Sequence, residues 1–254
     1  MEPILEVTNL ATGYGDLRAV WDVSFRLEQG SVFALLGRNG AGKTTTLRAI
    51  SGLNPVQAGD VAFEGASIKS LPPYERIRRG IGFVQEGKRI FRDQSVEDNL
   101  RMGLFTFKGS RAEVAARYEW AYETFPALAT RKKRQAGLLS GGQQQMLAIA
   151  QAIMPGPRVL LVDEPSAGLA PAIVGDVVDI LAKLRDEGLA IVLVEQSVDF
   201  ALAIAADVAV LDIGRVTYAG STSTPGAPDA IRSAYMGELL SIAEAESEGA
   251  ALDA

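Results

Sequence analysis

Gly37-Arg38-Asn39-Gly40-Ala41-Gly42-Lys43-Thr44 fits the phosphate-binding loop pattern G-x-x-x-x-G-K-[ST]. The octapeptide follows an apolar run, Val32 to Leu36, and precedes a helix-compatible stretch, Thr45 to Ile50, that Gly52 ends. Strand, loop and helix is the order the pattern needs. Glycines carry no Cβ, so their backbone N–H groups can close around an anion. The N-terminus of the following helix adds free donors and a favourable dipole. The expected phosphate cradle is therefore Gly37, Arg38, Asn39, Gly40, Ala41, Gly42, Lys43, Thr44 and Thr45. Within it, Lys43 reaches the terminal phosphates of a nucleotide and the Thr44 hydroxyl ligates Mg²⁺.

The carboxylates that such a loop requires are present. Val159-Leu160-Leu161-Val162 reads as a buried strand ending in Asp163 and Glu164. A carboxylate at a strand end beside the loop can hold Mg²⁺ through its water shell. The next one, Glu164, is placed to orient and polarise an attacking water. A further sequence, Leu139-Ser140-Gly141-Gly142-Gln143, lies upstream of them. Ser140 supplies a hydroxyl, Gly141 and Gly142 expose backbone N–H groups, and an apolar helix from Gln143 to Met154 follows. This is a second anion-binding helix terminus.

With these three elements the chain resembles the nucleotide-binding subunit of an ABC transporter. Leu139-Ser140-Gly141-Gly142-Gln143 matches that family's signature and starts 24 residues before Asp163, close to the family spacing. The resemblance implies that Ser140, Gly141, Gly142 and Gln143 contact the γ-phosphate held by an opposite subunit, so that two subunits sandwich two ATP molecules. It also places Tyr14, in Gly13-Tyr14-Gly15, as the ring that stacks on adenine. Gln85, after Ile81-Gly82-Phe83-Val84, becomes the glutamine that senses Mg²⁺ and the membrane partner. The implied Mg²⁺ set is Thr44, Gln85 and Asp163, and the implied catalytic set is Lys43, Glu164 and Gln196.

Two positions depart from the family pattern. Gln196 stands where most members carry histidine, and the chain has no histidine at all. Ala170, in Gly168-Leu169-Ala170-Pro171, stands where an aspartate is usual. The Ala-Pro variant and the Val194-Glu195-Gln196 ending occur together in the second ATP-binding subunit of branched-chain amino acid importers. Ile81 to Phe91, Ser95 to Leu100 and Ala234 to Glu238 are also similar to that subfamily. The resemblance spans roughly residues 4 to 238. It implies an ATP-hydrolysing motor for an importer of branched-chain or other amino acids. Alternatives within reach of the same motifs are an importer of urea, amides or aromatic acids, and an ABC ATPase not coupled to transport, such as one for cluster assembly. The implied partners are integral-membrane permeases, a second ATP-binding subunit and, indirectly, a solute-binding protein. A heterodimer is favoured over a homodimer, because a sister subunit can supply the missing aspartate and histidine.

Bulk properties agree with a peripheral subunit. Apolar residues make up 48 % of the 254, as in globular chains. No uncharged apolar run approaches the roughly 18 residues of a bilayer span, and Met1-Glu2-Pro3 lacks the features of a signal peptide. The absence of cysteine excludes disulfides and thiolate metal sites. The expected location is the cytoplasmic face of the inner or plasma membrane, held there by the permeases. A net charge of −6 argues against nucleic acid as a partner. The one basic run, Arg131 to Arg134, reads as a solvated face, the alternative being contact with anionic lipid headgroups near a membrane partner.

Along the chain, Val23, Phe25 and Leu27 alternate with polar residues, a half-buried strand, and Val61 and Phe63 suggest another. These suit a small β-subdomain. From Ser95 to Met154 the pattern is helical, with Ser95-x-x-Asp98 and Ser110-x-x-Glu113 as capping boxes. Val114, Tyr118, Ala121, Tyr122 and Phe125 recur at helical spacing and are expected in the core. A helix is expected from Pro171 to Leu184, then strands at Ala190 to Val194 and Val208 to Leu211. Alternating strands and helices imply a largely parallel sheet covered on both faces. The expected fold is thus α/β: a RecA-like P-loop NTPase core with a small antiparallel β-subdomain and an inserted helical subdomain. One ABC ATPase domain is expected over 1–238, the helical subdomain over about 95–154. Residues 239–254, acidic and without a basic residue, are expected to form a flexible tail.

Overall fold

The computed structural model describes residues 2–237. Glu238 and the acidic segment 239–254 lie outside the described residues.

The chain opens with a hairpin of β1 (Leu5–Tyr14) and β2 (Leu17–Leu27), followed by β3 (Val32–Leu36) and α1 (Lys43–Ile50). Next come β4 (Val56–Phe63), β5 (Ala66–Ser67), α2 (Pro73–Arg79) and β6 (Ile81–Val84). A helical block follows: α3 (Val96–Gly103), α4 (Arg111–Thr124), α5 (Pro126–Ala129) and α6 (Gly141–Ile153). The remainder is β7 (Val159–Asp163), α7 (Pro171–Asp186), β8 (Ala190–Glu195), α8 (Val198–Ile204), β9 (Asp207–Asp212) and β10 (Arg215–Ser221). A last helix covers 227–237.

Among the described residues the strands form two sheets. One is antiparallel, in the order β2-β1-β4-β5. The other runs β10-β9-β3-β8-β7-β6 and is parallel except for the edge strand β10. The inner strands are fully buried apolar runs because both faces of the parallel sheet are covered. Side chains alternate between the two faces. Val32, Ala34 and Leu36 join Ile191 and Leu193 in one core, with Leu100, Leu147 and Leu181 from the helices. Phe33 and Leu35 join Val192 and Val194 in the other core, with Leu47 and Ile50 of α1 and Leu5, Val20 and Leu27 of the antiparallel sheet. Phe25 stacks flat on Phe33, centroids 4.2 Å apart, tying the two sheets together.

The helix starts follow local capping. Ser95 accepts the Asp98 N–H and donates its hydroxyl to that carboxylate. Ser110 with Glu113, and Ser140 with Gln143, form complete capping boxes. The last of these starts α6 at Gly141, two residues before the expected start. In α4, Ala121 and the adjoining Phe125 are fully buried, whereas Val114, Tyr118 and Tyr122 are half-buried. The basic run is largely exposed, and Lys132 lies over the Tyr122 ring.

Six elements have no counterpart in the sequence reading: β1, β5, α2, α8, β10 and the last helix, 227–237. In β1 the alternation is broken by register shifts, and Asn9 adopts a left-handed conformation with φ 47°. Buried Arg76 of α2 donates to the carbonyls of Ala49 and Ile50 at 2.7 and 2.8 Å, closing the C-terminus of α1. It also reaches Leu71 and Lys69 carbonyls at 2.9 and 3.0 Å.

Candidate nucleotide site

The site forms where β3, β8 and β7 end side by side. Leu36 of β3 is in register with Glu195 of β8, and Asp163 of β7 with Val194 of β8. The residues that follow these strands, Gly37, Gln196 and Glu164, therefore emerge together at the carboxyl edge of a parallel sheet. Open α/β sheets bind ligands at that edge.

Two glycines allow the loop to lie down on the sheet. A Cβ on Gly37 would stand 2.3 Å from the Leu211 carbonyl oxygen. Gly42, the N-cap of α1, has φ 105°, and its Cβ would meet Val20 Cγ2 at 2.8 Å. The first α1 turn bond is Thr46 N–H to the Gly42 carbonyl. The N–H groups of Lys43, Thr44 and Thr45 thus precede the helical ladder and are available to an anion. Beside the loop is a cavity of about 410 Å³, lined by Arg38, Asn39, Gly40, Ala41, Gln196, Asp212, Ile213 and Tyr235.

The polar groups form one network. Lys43 Nζ donates to the Arg38 carbonyl and pairs with Glu164 Oε1, both at 3.0 Å, with side chains 4 % and 9 % exposed. The Gln196 amide donates to Glu164 Oε2 at 2.7 Å and to Asn39 Oδ1 at 2.9 Å. Glu164 is held in the left-handed region, φ 45°, a conformation uncommon outside glycine. Lys43, Asn39, Glu164 and Gln196 are thereby brought together from three strand ends. The link from Gln196 to Asn39 has no sequence signal, since 157 residues separate them. Neither do the bonds by which Glu195 accepts the Ser166 and Gln196 N–H groups, although a carboxylate closing an otherwise apolar run is a visible oddity.

Thr44 donates its hydroxyl to Asp163 Oδ1 at 3.0 Å. Burial raises the Asp163 carboxyl to about 6, with Glu164 and Glu86 adding to the rise and the Thr44 bond and Lys43 opposing it. A buried carboxylate so poorly compensated, next to a hydroxyl, is a hard-oxygen pair suited to Mg²⁺, which takes one or two protein ligands and completes its shell with phosphates and water. Gln85 follows β6 and lines a cleft with Leu53, Phe83 and Gln151. Among the described residues no hydrogen bond joins it to Thr44 or Asp163.

Tyr14 ends β1 at the hairpin tip, half-exposed, with its hydroxyl 3.4 Å from Thr45 Oγ1. That contact sets the half-exposed ring beside the loop. Ser140, Gly141, Gly142 and Gln143 sit at the start of α6. A Cβ on Gly142 would stand 2.3 Å from Ile173 Cγ2 of α7. Among the described residues no hydrogen bond or ion pair joins this helix start to Gly37–Thr45.

The family described as ABC transporter matches residues 20–167. The chain is 38 % identical to the high-affinity branched-chain amino acid transport ATP-binding protein BraG of Pseudomonas aeruginosa, over 92 % of this chain and all of that one. It is 39 % identical to the probable branched-chain amino acid transport ATP-binding protein LivF of Archaeoglobus fulgidus, over 87 % and 93 %. The lipopolysaccharide export system ATP-binding protein LptB of Escherichia coli is 34 % identical over 92 % and 97 %. The crystal structure of the ADP conformation of MJ1267, an ATP-binding cassette of an ABC transporter, superposes with a TM-score of 0.78, at 27 % identity, over 87 % and 92 %.

Proposed function

The chain belongs to the ABC transporter family of ATPases, and from that premise we propose that it is the motor subunit of an importer for branched-chain amino acids. The observation that carries the mechanism is the convergence of Lys43, Glu164 and Gln196 beside the Thr44–Asp163 pair.

ATP lays its phosphates on the amides of Gly37 to Thr45 and its adenine against Tyr14. Without nucleotide, Lys43 and Glu164 neutralise one another. The γ-phosphate competes for the Lys43 ammonium, so that ATP binding frees the Glu164 carboxylate to orient water. That water attacks the γ-phosphorus, the bond to the ADP oxygen breaks, and the water proton passes toward Glu164 and the phosphate. Gln196, which bonds Glu164 and Asn39, turns an amide N–H to the γ-phosphate. An amide can donate that bond but carries no titratable positive charge. Thr44, Asp163 and Gln85 would hold Mg²⁺, which would supply neutralisation of the phosphate charge. These terms are positioning and electrostatics, which dominate phosphoryl transfer.

The lack of any hydrogen bond or ion pair between the α6 start and the loop among the described residues supports closure by a second subunit, whose Ser140, Gly141, Gly142 and Gln143 positions complete the site. On this reading 1–238 is one ABC ATPase domain, and the helical segment of about 95–154 carries the signature. Ala170 and Gln196 favour an unlike partner that supplies aspartate and histidine at its own positions. The subunit then works on the cytoplasmic face of the membrane, bound to permeases and served indirectly by a solute-binding protein. Among the described residues no helix is long and apolar enough to cross a membrane.

The test is expression of this chain with candidate permeases and a sister motor in a strain lacking its own branched-chain importers. Labelled leucine uptake that requires Lys43 supports the proposal. Copurification with permeases that move another solute retains the motor and overturns the amino-acid reading. A second-order rise of ATPase rate with concentration for the chain alone overturns the obligatory unlike partner.

A further inference from the structure

We propose that Glu195 is a positioning residue for hydrolysis, its buried carboxylate clamping the backbone that carries Glu164 to the backbone that carries Gln196. This rests on the roles given above to those two residues. Glu195 closes β8 and is 2 % exposed. Its Oε1 accepts the Ser166 N–H at 2.9 Å. Its Oε2 accepts the N–H of Gln196 at 3.1 Å and that of Ser197 at 3.4 Å. Among the described residues no lysine or arginine pairs with it. A carboxylate taken out of water without a cation is costly. Here the compensation comes from charge-assisted bonds to backbone amides alone.

What those amides belong to gives the clamp its meaning. Ser166 lies two residues past Glu164, and Glu164 N–H donates to the Val194 carbonyl at 2.9 Å. The left-handed backbone of Glu164 is thus gripped before and after by the last two residues of β8. The other carboxylate oxygen fixes the start of the turn from which Gln196 reaches Glu164 and Asn39. One side chain therefore sets the spacing of two groups that must meet at the γ-phosphate and its attacking water. Glu195 is placed to touch neither the phosphate nor the water; it acts through Glu164 and Gln196. Hydrolysis is sensitive to such spacing, since a misplacement of about 1 Å can cost on the order of 100-fold in rate.

Glu195→Gln is nearly isosteric and keeps one acceptor oxygen. Whichever way the amide turns, its NH₂ faces a backbone N–H, so either Ser166 or the Gln196–Ser197 turn is released. Glu195→Asp keeps the charge but is one methylene too short to span both sides. The assay uses the full chain assembled with its sister subunit and permeases. It compares kcat, KM, nucleotide affinity and thermal midpoint for Glu195→Gln, Glu195→Asp, Gln196→Ala and the Glu195→Gln/Gln196→Ala pair, with Glu164→Gln as control. For Glu195→Gln, kcat is expected to fall on the order of 100-fold while nucleotide affinity stays within about threefold. The double variant is expected to lose less than the product of the single losses, because both act on one unit. A folded Glu195→Gln protein with parental kcat overturns the proposal, as does a double variant whose losses multiply. If Glu195→Gln does not fold, Glu195→Asp decides, and parental kcat in that variant sinks the clamp. Turnover retained by Glu164→Gln removes the underlying assignment and this proposal with it. A dead Glu164→Gln beside an unimpaired Glu195→Gln removes the clamp alone.

Discussion

Glu164→Gln separates two tasks of Glu164, one a contact present in the structure and the other the proposed activation of water. Its first task, without nucleotide, is to neutralise Lys43 at 3.0 Å between side chains that are 4 % and 9 % exposed. At an effective dielectric of 20 that contact is worth about 5–6 kcal/mol of gross attraction. Desolvation of both ions offsets much of it, and removing one partner from a buried pair costs about 3–5 kcal/mol. Glutamine leaves one carbonyl oxygen for Lys43, but its NH₂ is a donor and cannot accept from the Gln196 amide, which sits 2.7 Å from Glu164 Oε2. The nucleotide-free variant should therefore lose about 3 kcal/mol of stability, at the lower end of that range. ATP, no longer competing with a carboxylate for Lys43, should bind at least as tightly as to the parent. The second task is water activation, worth about 10²- to 10⁴-fold in rate, so turnover should fall by that factor. Fluorescent-nucleotide titration, single-turnover hydrolysis and urea denaturation read these three quantities on one preparation. Hydrolysis within about tenfold of the parent, or ATP binding that weakens together with stability, would refute the division of labour.

Tyr14→Ala should weaken ATP binding by about 1–3 kcal/mol if base stacking is a guide, and Tyr14→Phe should retain the affinity; equal affinities in all three proteins would reduce Tyr14 to a hairpin residue. Arg76→Met removes four bonds to carbonyls, two of them at the C-terminus of α1, and should cost about 3–5 kcal/mol in urea denaturation; a loss below about 1 kcal/mol would show that water satisfies those carbonyls. Asp163 is raised from 3.8 to about 6, so between those values the folded chain binds more protons than the unfolded one and its stability falls as pH rises. Asp163→Asn removes that dependence. In metal-free buffer, its stability relative to the parent should grow by up to about 3 kcal/mol from pH 4 to 7, and a flat difference would contradict the buried, uncompensated carboxylate.

Much of the site was legible because its chemistry is local. An anion cradle is made of consecutive backbone amides, so Gly37 to Thr45 declare it in one stretch, and Ser140 to Gln143 declare the second helix terminus in the same way. Asp163 and Glu164 were legible as carboxylates ending an apolar run. The helix caps at Ser95 and Ser110 were equally local, since donor and acceptor lie three residues apart. Elements without clean periodicity were not legible. β1 is interrupted by bulges, α8 is seven residues long, and β10 is an edge strand of mixed polarity.

The sequence by itself determined which groups are available: an ammonium, a hydroxyl, two adjacent carboxylates, an amide in place of an imidazole, and two helix starts able to hold an anion. Only the tertiary structure decided which of them meet. Insertion of β8 between β3 and β7 brings Gln196 against Asn39 and Glu164, and turns Glu195 from the last residue of a strand into a tie between two loops. Strand order is set by how two apolar faces are shared between helices and a second sheet. That sharing depends on contacts far apart in the chain, which no short stretch of residues encodes. Among the described residues the same long-range packing leaves no hydrogen bond or ion pair between the start of α6 and the phosphate loop, a relation that neither stretch of sequence states.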